Sequence, residues 1–126
     1  MNLIKIGEIE TPYEKIDDCP NNVSRNGEVC TLKLQDEYEE ALLGLEQGQK
    51  ILVLYWLDKA KRDVLTQSNV HKNNGEPVGT FSLRSPYRPN PIGASEVYID
   101  NIDKNHVLVE GLDCLNGTAL IDIKPV

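Results

Sequence analysis

Two arginines and an asparagine lie in a proline-rich stretch, residues 79–93, whose sequence is GTFSLRSPYRPNPIG. Three of the chain's seven prolines fall between Arg84 and Pro91, and Arg88 and Asn90 lie among them. Each proline fixes its own φ and moves the preceding residue out of the helical region. Such a loop can present guanidinium and amide donors to a ligand at a small entropic cost. A stiff surface loop between strands is the alternative interpretation, with about equal support from spacing.

A second polar group lies in the stretch GLDCLNGT, residues 111–118. Asp113 would supply a fixed carboxylate, and a loop here exposes backbone amides and carbonyls that can hold the edge of a purine. Asn116 and Gly117 form a strong turn signal, so a hairpin loop without a ligand is the alternative.

A third candidate is the pair Asp58 and Lys59, which follows the apolar run 51–57. Side chains that leave a buried strand at this point can line the mouth of a cleft, although a charge pair at a strand end is the simpler explanation. The chain contains no GxGxxG, Walker-type or GxSxG motif, so Rossmann-type nucleotide binding is not indicated.

The chain has 126 residues, enough for one domain with a substantial core. Its formal net charge of −7 argues against a protein that binds nucleic acid mainly through bulk charge. Any binding of nucleic acid would therefore be local, on a patch such as the one around Arg84 and Arg88.

Three widely spaced cysteines, Cys19, Cys30 and Cys114, form no CxxC pair, and the histidines His71 and His106 have no second ligand at metal spacing. No metal site is expected, and the cysteines are interpreted as reduced thiols. No signal peptide or membrane-spanning segment is evident, so a cytoplasmic protein without membrane contact is expected.

Alternating apolar residues and turn signals predict about seven strands and one short helix, which together indicate a mainly antiparallel, closed or half-closed β-barrel. The helix is predicted from Asp36, as its N-cap, to Leu45, and Lys104 lies in a predicted hairpin turn. The predicted strands span residues 3–10, 28–34, 49–57, 79–84, 92–102, 106–112 and 118–124. The third strand is expected to be buried on both faces.

The sequences FSLRSPYRPNPIG and GLDCLNGTALIDIKP closely resemble the TsaA-like family, whose best-known members are the TrmO tRNA methyltransferases. In that family the first block typically reads GVFATRSPxRPNPIG. The second carries a D-x-x-D-G-T-P motif and ends in DIKPY. Residues 6–13 also resemble the family's first strand and turn, so the resemblance covers nearly the entire chain.

The resemblance implies a single β-barrel domain over residues 1–126 that binds S-adenosylmethionine (SAM). It implies a homodimer with sites near the subunit interface. Characterised members methylate N6 of the threonylcarbamoyl-adenosine beside the anticodon of certain tRNAs, so tRNA is the implied substrate.

The resemblance also assigns roles to individual residues. Arg88 and Asn90 would hold the substrate or a neighbouring subunit. The cofactor-binding residues that the resemblance implies are Asn21, Asn22, Val23, Arg84, Ala94, Leu112, Asp113, Asn116, Gly117 and Thr118. Asp58 and Lys59 are added as cofactor-binding candidates because of their position after the apolar run.

The chain departs from the family pattern at several positions. Leu57-Asp58 replaces an aromatic-histidine pair, and Asn116 stands where D-G-T-P has its aspartate. The Pro-Arg-Gln of many members is absent near Pro20, and the sequence stops at Val126 without the family's C-terminal extension. None of these departures removes the cofactor pocket, but together with the acidic net charge they weaken the inference that tRNA is the substrate.

The expected chemistry is a single displacement at a sulfonium methyl, for which the protein aligns donor and acceptor and excludes water. Asp58 or Asp113 could remove the N6 proton, pair with the sulfonium or hold ribose hydroxyls. Three functions remain open. They are methylation of a modified adenosine in tRNA, which is favoured, methylation of another RNA or a small molecule, and non-catalytic SAM sensing.

Overall fold

The computed structural model describes residues 1–68 and 73–126 of the chain. It contains two compact units. The first comprises Met1–Trp56 and Ala94–Val126, and the second comprises Leu57–Gly93.

A closed barrel of six strands, counted over the described residues, dominates the chain. Its strands are β1 (Gly7–Glu10), β2 (Val29–Leu34), β3 (Lys50–Trp56), β6 (Ile92–Asp103), β7 (His106–Glu110) and β8 (Thr118–Pro125). Their order around the barrel is β1-β2-β7-β6-β3-β8, and antiparallel pairing of β8 with β1 closes it. The remaining strands, β4 (Thr66–Ser68) and β5 (Pro77–Gly79), form an antiparallel hairpin in the second unit. The predicted mainly β barrel with about seven strands and one short helix is confirmed.

Alternating side chains of the barrel strands fill its interior. Val97 and Ile99 of β6 are both buried, as predicted from the alternation, and Leu32 of β2 is fully buried. The prediction that the third strand is buried on both faces is wrong. Ile51, Val53 and Tyr55 are buried, whereas the residues between them are partly exposed. A single-layered barrel wall has only one face in the core, so apolar residues on the other face remain partly accessible.

The predicted helix forms as a 3-10 helix over Asp36–Leu42, and shorter 3-10 turns occupy Ile16–Asp18, Asn73–Gly75 and Thr80–Ser82. The assignment of Asp36 as the N-cap is wrong, because Gln35 occupies that position without a side-chain capping bond. The Asp36 carboxylate instead accepts a hydrogen bond from Nδ2 of Asn105 at 3.1 Å. Asn105 follows Lys104 in the hairpin turn between β6 and β7, which forms as predicted, with φ +56° at Lys104.

The predicted strand over residues 79–84 is also wrong. Strand β5 ends at Gly79, and the chain turns at Thr80, where the Leu83 N–H donates to the Thr80 carbonyl at 3.1 Å. Thr80 is buried, and its hydroxyl donates to the Tyr87 carbonyl at 2.6 Å. A buried hydroxyl that bonds back to the same loop favours a turn, although the residue types favour a strand.

Gly111, directly after β7, fixes the turn at residues 20–27 to the barrel. Its carbonyl accepts from the Ser24 N–H at 3.1 Å, and its N–H donates to the Glu28 carbonyl at 2.8 Å. Gly111 has φ +85°, and a Cβ added there would overlap the carbonyl oxygen of Ser24. The residue must therefore be glycine for both conformational and steric reasons.

Gly111→Ala is expected to destabilise the protein clearly more than Gly117→Ala. Both positions have φ near +85°, so both variants lose roughly 1–2 kcal/mol for a left-handed side-chain-bearing residue. At Gly117 the added carbon meets no other described atom within 4 Å. Gly111→Ala carries a further cost of roughly 1–3 kcal/mol for moving the Ser24 backbone. Urea unfolding measures both losses, and equal losses would contradict the close contact.

Candidate functional site

The loop that carries Asp113 is tied to the segment after β1. Oδ1 of Asn116 accepts from the Thr11 N–H at 3.1 Å, and its Nδ2 donates to a Glu14 carboxylate oxygen at 3.0 Å. The Thr11 hydroxyl donates to the Cys114 carbonyl at 2.9 Å, and the Gly117 N–H donates to the Ile9 carbonyl at 2.8 Å. These bonds continue the pairing of β1 with β8, so closure of the barrel also fixes the loop.

Asp113 points towards a polar pair inside the barrel. The hydroxyls of Tyr55 and Ser95 lie 2.7 Å apart in a buried hydrogen bond, and the Tyr55 hydroxyl lies 3.5 Å from Oδ1 of Asp113. Tyr55 is only 5% exposed. The register of β3 against β8 shifts between Leu54 and Tyr55, which is typical of a β-bulge that redirects a side chain.

Burial raises the pKa values of both acidic groups in this cluster. Desolvation is the main cause for the Asp113 carboxyl, and the hydrogen bond from Tyr55 partly opposes it. The Tyr55 phenol also has a raised pKa, mainly from burial, so it remains a hydrogen-bond donor at neutral pH. A half-buried carboxylate with a raised pKa holds a proton more firmly than an ordinary aspartate, which suits a general base.

The turn that contains Asn21, Asn22 and Val23 lies beside this loop through the hydrogen bond from the Ser24 N–H to the Gly111 carbonyl. Both asparagines are exposed and Val23 is half-buried. The Arg25 guanidinium lies 3.5 Å from the centre of the Tyr98 ring, and this cation–π contact anchors the turn on β6.

A cleft of about 450 Å³ opens next to the same turn. Its volume falls in the usual range for sites of small molecules. Its lining combines an aromatic ring, a carboxylate and backbone groups, and consists of Tyr13, Pro20, Ser24, Asn26, Gly27, Glu28, Val29 and Gly111.

Five of the predicted site residues belong to the second unit. Asp58 and Lys59 follow β3 by two and three residues, and the other three are Arg84, Arg88 and Asn90. Nη1 of Arg88 donates to the carbonyls of Leu83 and Ser85, at 2.9 and 3.0 Å, so this guanidinium braces the proline-rich loop.

Arg62, which the sequence analysis did not single out, holds the same loop from another side. Its Nε donates to the Pro89 carbonyl at 2.7 Å, and its Nη2 lies 3.3 Å from Oδ1 of Asn90. The loop is therefore stiffened by arginine side chains as well as by its prolines.

Within the first unit, the structure brings the C-terminal loop together with the turn at residues 21–23. Of the other predicted cofactor-binding residues in this unit, Leu112 is fully buried, Thr118 starts β8, and Ala94 precedes Ser95 on β6. Sequence reasoning missed Tyr55 and Ser95. Tyr55 lies two residues from the core residue Val53, and Ser95 lies two residues from the core residue Val97, so both face the barrel interior. Polar residues at interior positions of predicted strands were the signal that could have identified them.

Two of the three thiols are buried, and Cys19 is partly exposed. Burial raises the pKa of Cys114 to about 12 and also raises the pKa of Cys30, and both side chains are buried. In the part of the chain that the structure describes, no group of three His, Cys, Asp or Glu side chains could hold a metal ion. His71 lies outside the described residues. Among those described, no helix is long and apolar enough to span a membrane.

Comparison with known proteins gives concordant matches. The model of the tRNA-methyltransferase O N-terminal domain family matches residues 8–126. The probable S-adenosyl-L-methionine-binding protein VirR of Rhizobium radiobacter is 43% identical over 98% of this chain and 70% of its own length. The tRNA (adenine(37)-N6)-methyltransferase of Rattus norvegicus is 34% identical over 69% of this chain and 20% of its own length.

A solved structure supports the same relationship. The crystal structure of TrmO superposes with a TM-score of 0.80 over the entire chain, at 28% identity. The match covers 57% of that TrmO chain, so the present chain spans a little over half its length.

Asp113→Asn is expected to stabilise the folded protein at neutral pH. Because the folded-state pKa of Asp113 is raised, the unfolded chain ionises first, and the free energy of unfolding falls as pH rises from the ordinary aspartate pKa to the raised value. The variant lacks this decrease, so its advantage should grow as pH rises above the ordinary aspartate pKa of about 3.9 and become constant above the raised pKa. Thermal unfolding at several pH values measures this.

Asp103→Asn, which removes an exposed carboxylate at the end of β6, controls for the loss of one negative charge. An Asp113→Asn effect that is constant with pH, or that reverses in sign, would contradict the burial argument.

Proposed function

This chain belongs to the tRNA-methyltransferase O family, and on that basis we propose that it binds SAM and transfers its methyl group to N6 of an adenine in tRNA. The observation that carries the proposal is the Asp113 loop, fixed by barrel closure and placed against the buried Tyr55 and Ser95. We propose N6 of the threonylcarbamoyl-adenosine beside the anticodon as the acceptor.

The cofactor is proposed to bind along the C-terminal loop and the adjoining turn, beside the cleft. Their donor set fits a nucleoside, because a carboxylate can hold ribose hydroxyls and the loop backbone can hold a purine edge. The proposed contacts in the first unit are Asn21, Asn22, Val23, Ala94, Leu112, Asp113, Asn116, Gly117 and Thr118, and those in the second are Asp58, Lys59 and Arg84. The side-chain oxygen and nitrogen of Asn116 both form hydrogen bonds within the protein, so its proposed role is to shape the loop.

SAM supplies an activated methyl group together with its own leaving group. The protein's part is to hold the acceptor nitrogen in line and to accept its proton. Asp113 is the proposed base, because burial raises its pKa and Tyr55 lies within reach of the same oxygen. Asp58, the other candidate, lies on the second unit, two residues after β3 ends.

The remaining proposals concern the whole protein. Residues 1–126 are proposed to act as one domain, since the family match runs through both compact units. A cytoplasmic homodimer with sites near its interface is proposed, with Arg88 and Asn90 shaping the surface that meets substrate or the second subunit. Sedimentation of the purified protein tests the dimer, and a monomeric mass at micromolar concentration would exclude it.

A non-catalytic SAM-binding module is the second candidate. The name of the Rhizobium relative, 43% identical to this chain, states SAM binding and no transfer reaction. Methylation of another RNA or of a small molecule is also compatible with the site.

Arg84→Ala is expected to weaken SAM binding roughly 10- to 150-fold. The variant loses a charge-assisted interaction on a stiff loop, which is worth roughly 1.5–3 kcal/mol. Arg84→Lys keeps the charge but not the planar fork, so an intermediate loss is expected. Calorimetric titration with SAM measures all three proteins, and an unchanged affinity in Arg84→Ala would place the cofactor elsewhere.

Methyl transfer to tRNA is expected to require threonylcarbamoylation. Purified protein with methyl-labelled SAM is offered tRNA pools with and without this modification, and only the modified pool should accept label. Asp113→Asn should lower the rate by roughly 10²- to 10⁴-fold if Asp113 is the base, whereas Asp58→Asn should retain most of it.

Label in both pools would point to another acceptor. Saturable SAM binding without transfer to either pool would support the binding module. If Asp58→Asn loses methyl transfer and Asp113→Asn retains it, Asp58 is the base and Asp113 is not.

A further inference from the structure

Charge is distributed very unevenly between the two compact units. Residues 57–93 carry six basic and three acidic side chains, a formal net charge of +3. The rest of the chain carries seven basic and seventeen acidic side chains, a formal net charge of −10. The total of −7 therefore conceals a basic segment of 37 residues, and the barrel accounts for the acidity. A polyanion that approaches this protein is attracted by the second unit and repelled by the first.

Exposed apolar side chains occur on the same basic unit. Phe81 is 79% exposed, Leu65 is 73% exposed and Tyr87 is 45% exposed. A single exposed apolar side chain is common on protein surfaces, whereas several that are exposed together mark a binding surface.

The backbone that carries these side chains is held by hydrogen bonds around the buried Thr80. The Thr80 N–H donates to the Leu65 carbonyl at 2.9 Å, and the Thr80 hydroxyl donates to the Tyr87 carbonyl at 2.6 Å. Nε2 of Gln67 donates to the Thr80 hydroxyl at 2.6 Å and to the Tyr87 carbonyl at 3.1 Å. Leu65, Phe81 and Tyr87 are thus borne by segments that meet at Thr80. We call these three residues the exposed platform.

We propose that the second unit is the surface that docks the RNA, with Phe81 and Tyr87 of the exposed platform stacking on unpaired bases and basic side chains of the same unit, such as Lys61, meeting the phosphates. The inference rests on the proposed function and deepens it by naming the surface that grips the substrate. Aromatic rings beside cationic groups are the combination that binds single-stranded nucleic acid. An adenine beside the anticodon lies in a single-stranded loop and offers such bases.

Two observations favour RNA over a second copy of the chain as the occupant. The positive charge of the unit suits a polyanion, and a phosphate backbone offers a row of charges that a stiff loop can follow. Three partly exposed side chains cover at most a few hundred Å². A stable interface between two copies needs about 800 Å² from each partner.

The test measures binding of a fluorescently labelled anticodon stem–loop RNA by anisotropy, in the absence of SAM. Phe81→Ala is expected to weaken binding roughly 5- to 150-fold, the range for the loss of one stacked base. Leu43→Ala is the matched control, because Leu43 is 90% exposed on the acidic first unit. It should leave the affinity unchanged.

A second pair of variants tests the phosphate contacts. Lys61→Glu should weaken RNA binding and lower the steepness of log K against log salt by about 0.7 for each phosphate that the protein no longer neutralises. Lys33→Glu changes the net charge equally but lies on β2 of the barrel, so its slope should match that of the unaltered protein.

Methyl transfer and sedimentation of each variant separate the possible failures. Unaltered RNA binding by Phe81→Ala and Lys61→Glu, in a protein that methylates tRNA, would overturn the docking surface and leave the proposed function intact. A change of oligomeric mass in Phe81→Ala without a change in RNA affinity would assign the platform to an interface between copies and overturn the inference. If the unaltered protein binds SAM but neither binds nor methylates RNA, the proposed substrate fails and the docking surface with it.

Discussion

Closure of the barrel by β1 and β8 is the constraint on which the candidate site depends. The same backbone that pairs the two strands continues into the bonds from Thr11 and Ile9 to the Cys114–Gly117 loop. Asp113 is therefore held by the segment after β1, which lies about a hundred residues earlier in the sequence. Without this pairing, the loop would keep its turn signal but lose the partners that hold it against Tyr55. Fold stability and site geometry are in this respect one property.

The site is built largely from groups that satisfy one another. Asn116 uses both ends of its amide within the protein, and Arg88 braces its own loop. The ordering of these segments is therefore achieved during folding, and a ligand meets surfaces that are already arranged. The cost is visible at Asp113, a carboxyl kept partly out of water beside a buried phenol. Natural proteins commonly retain such an unfavourable group where function needs it.

Local patterns predicted the strands well, because alternation and turn residues are properties of neighbouring positions. The β6–β7 hairpin and the interior positions Val97 and Ile99 followed directly from them. The errors arose where distant groups decide the conformation. Thr80 turns the chain because its hydroxyl bonds to Tyr87, and Asp36 leaves its capping role for Asn105. Likewise, the resemblance indicated the loops of the candidate site, whereas the Tyr55–Ser95 pair requires knowledge of strand register.

The buried thiols of Cys30 and Cys114 can report on local opening of this protein. Cys30 lies on β2 in the barrel wall, and Cys114 lies in the loop fixed by closure. A thiol-specific reagent reaches either sulfur only when the surrounding structure opens, and burial also keeps both in the unreactive protonated form. Their modification rates therefore report the free energies of two different opening motions, one of the barrel wall and one of the site loop. The chain thus carries its own probes of whether the loop can detach while the barrel remains closed.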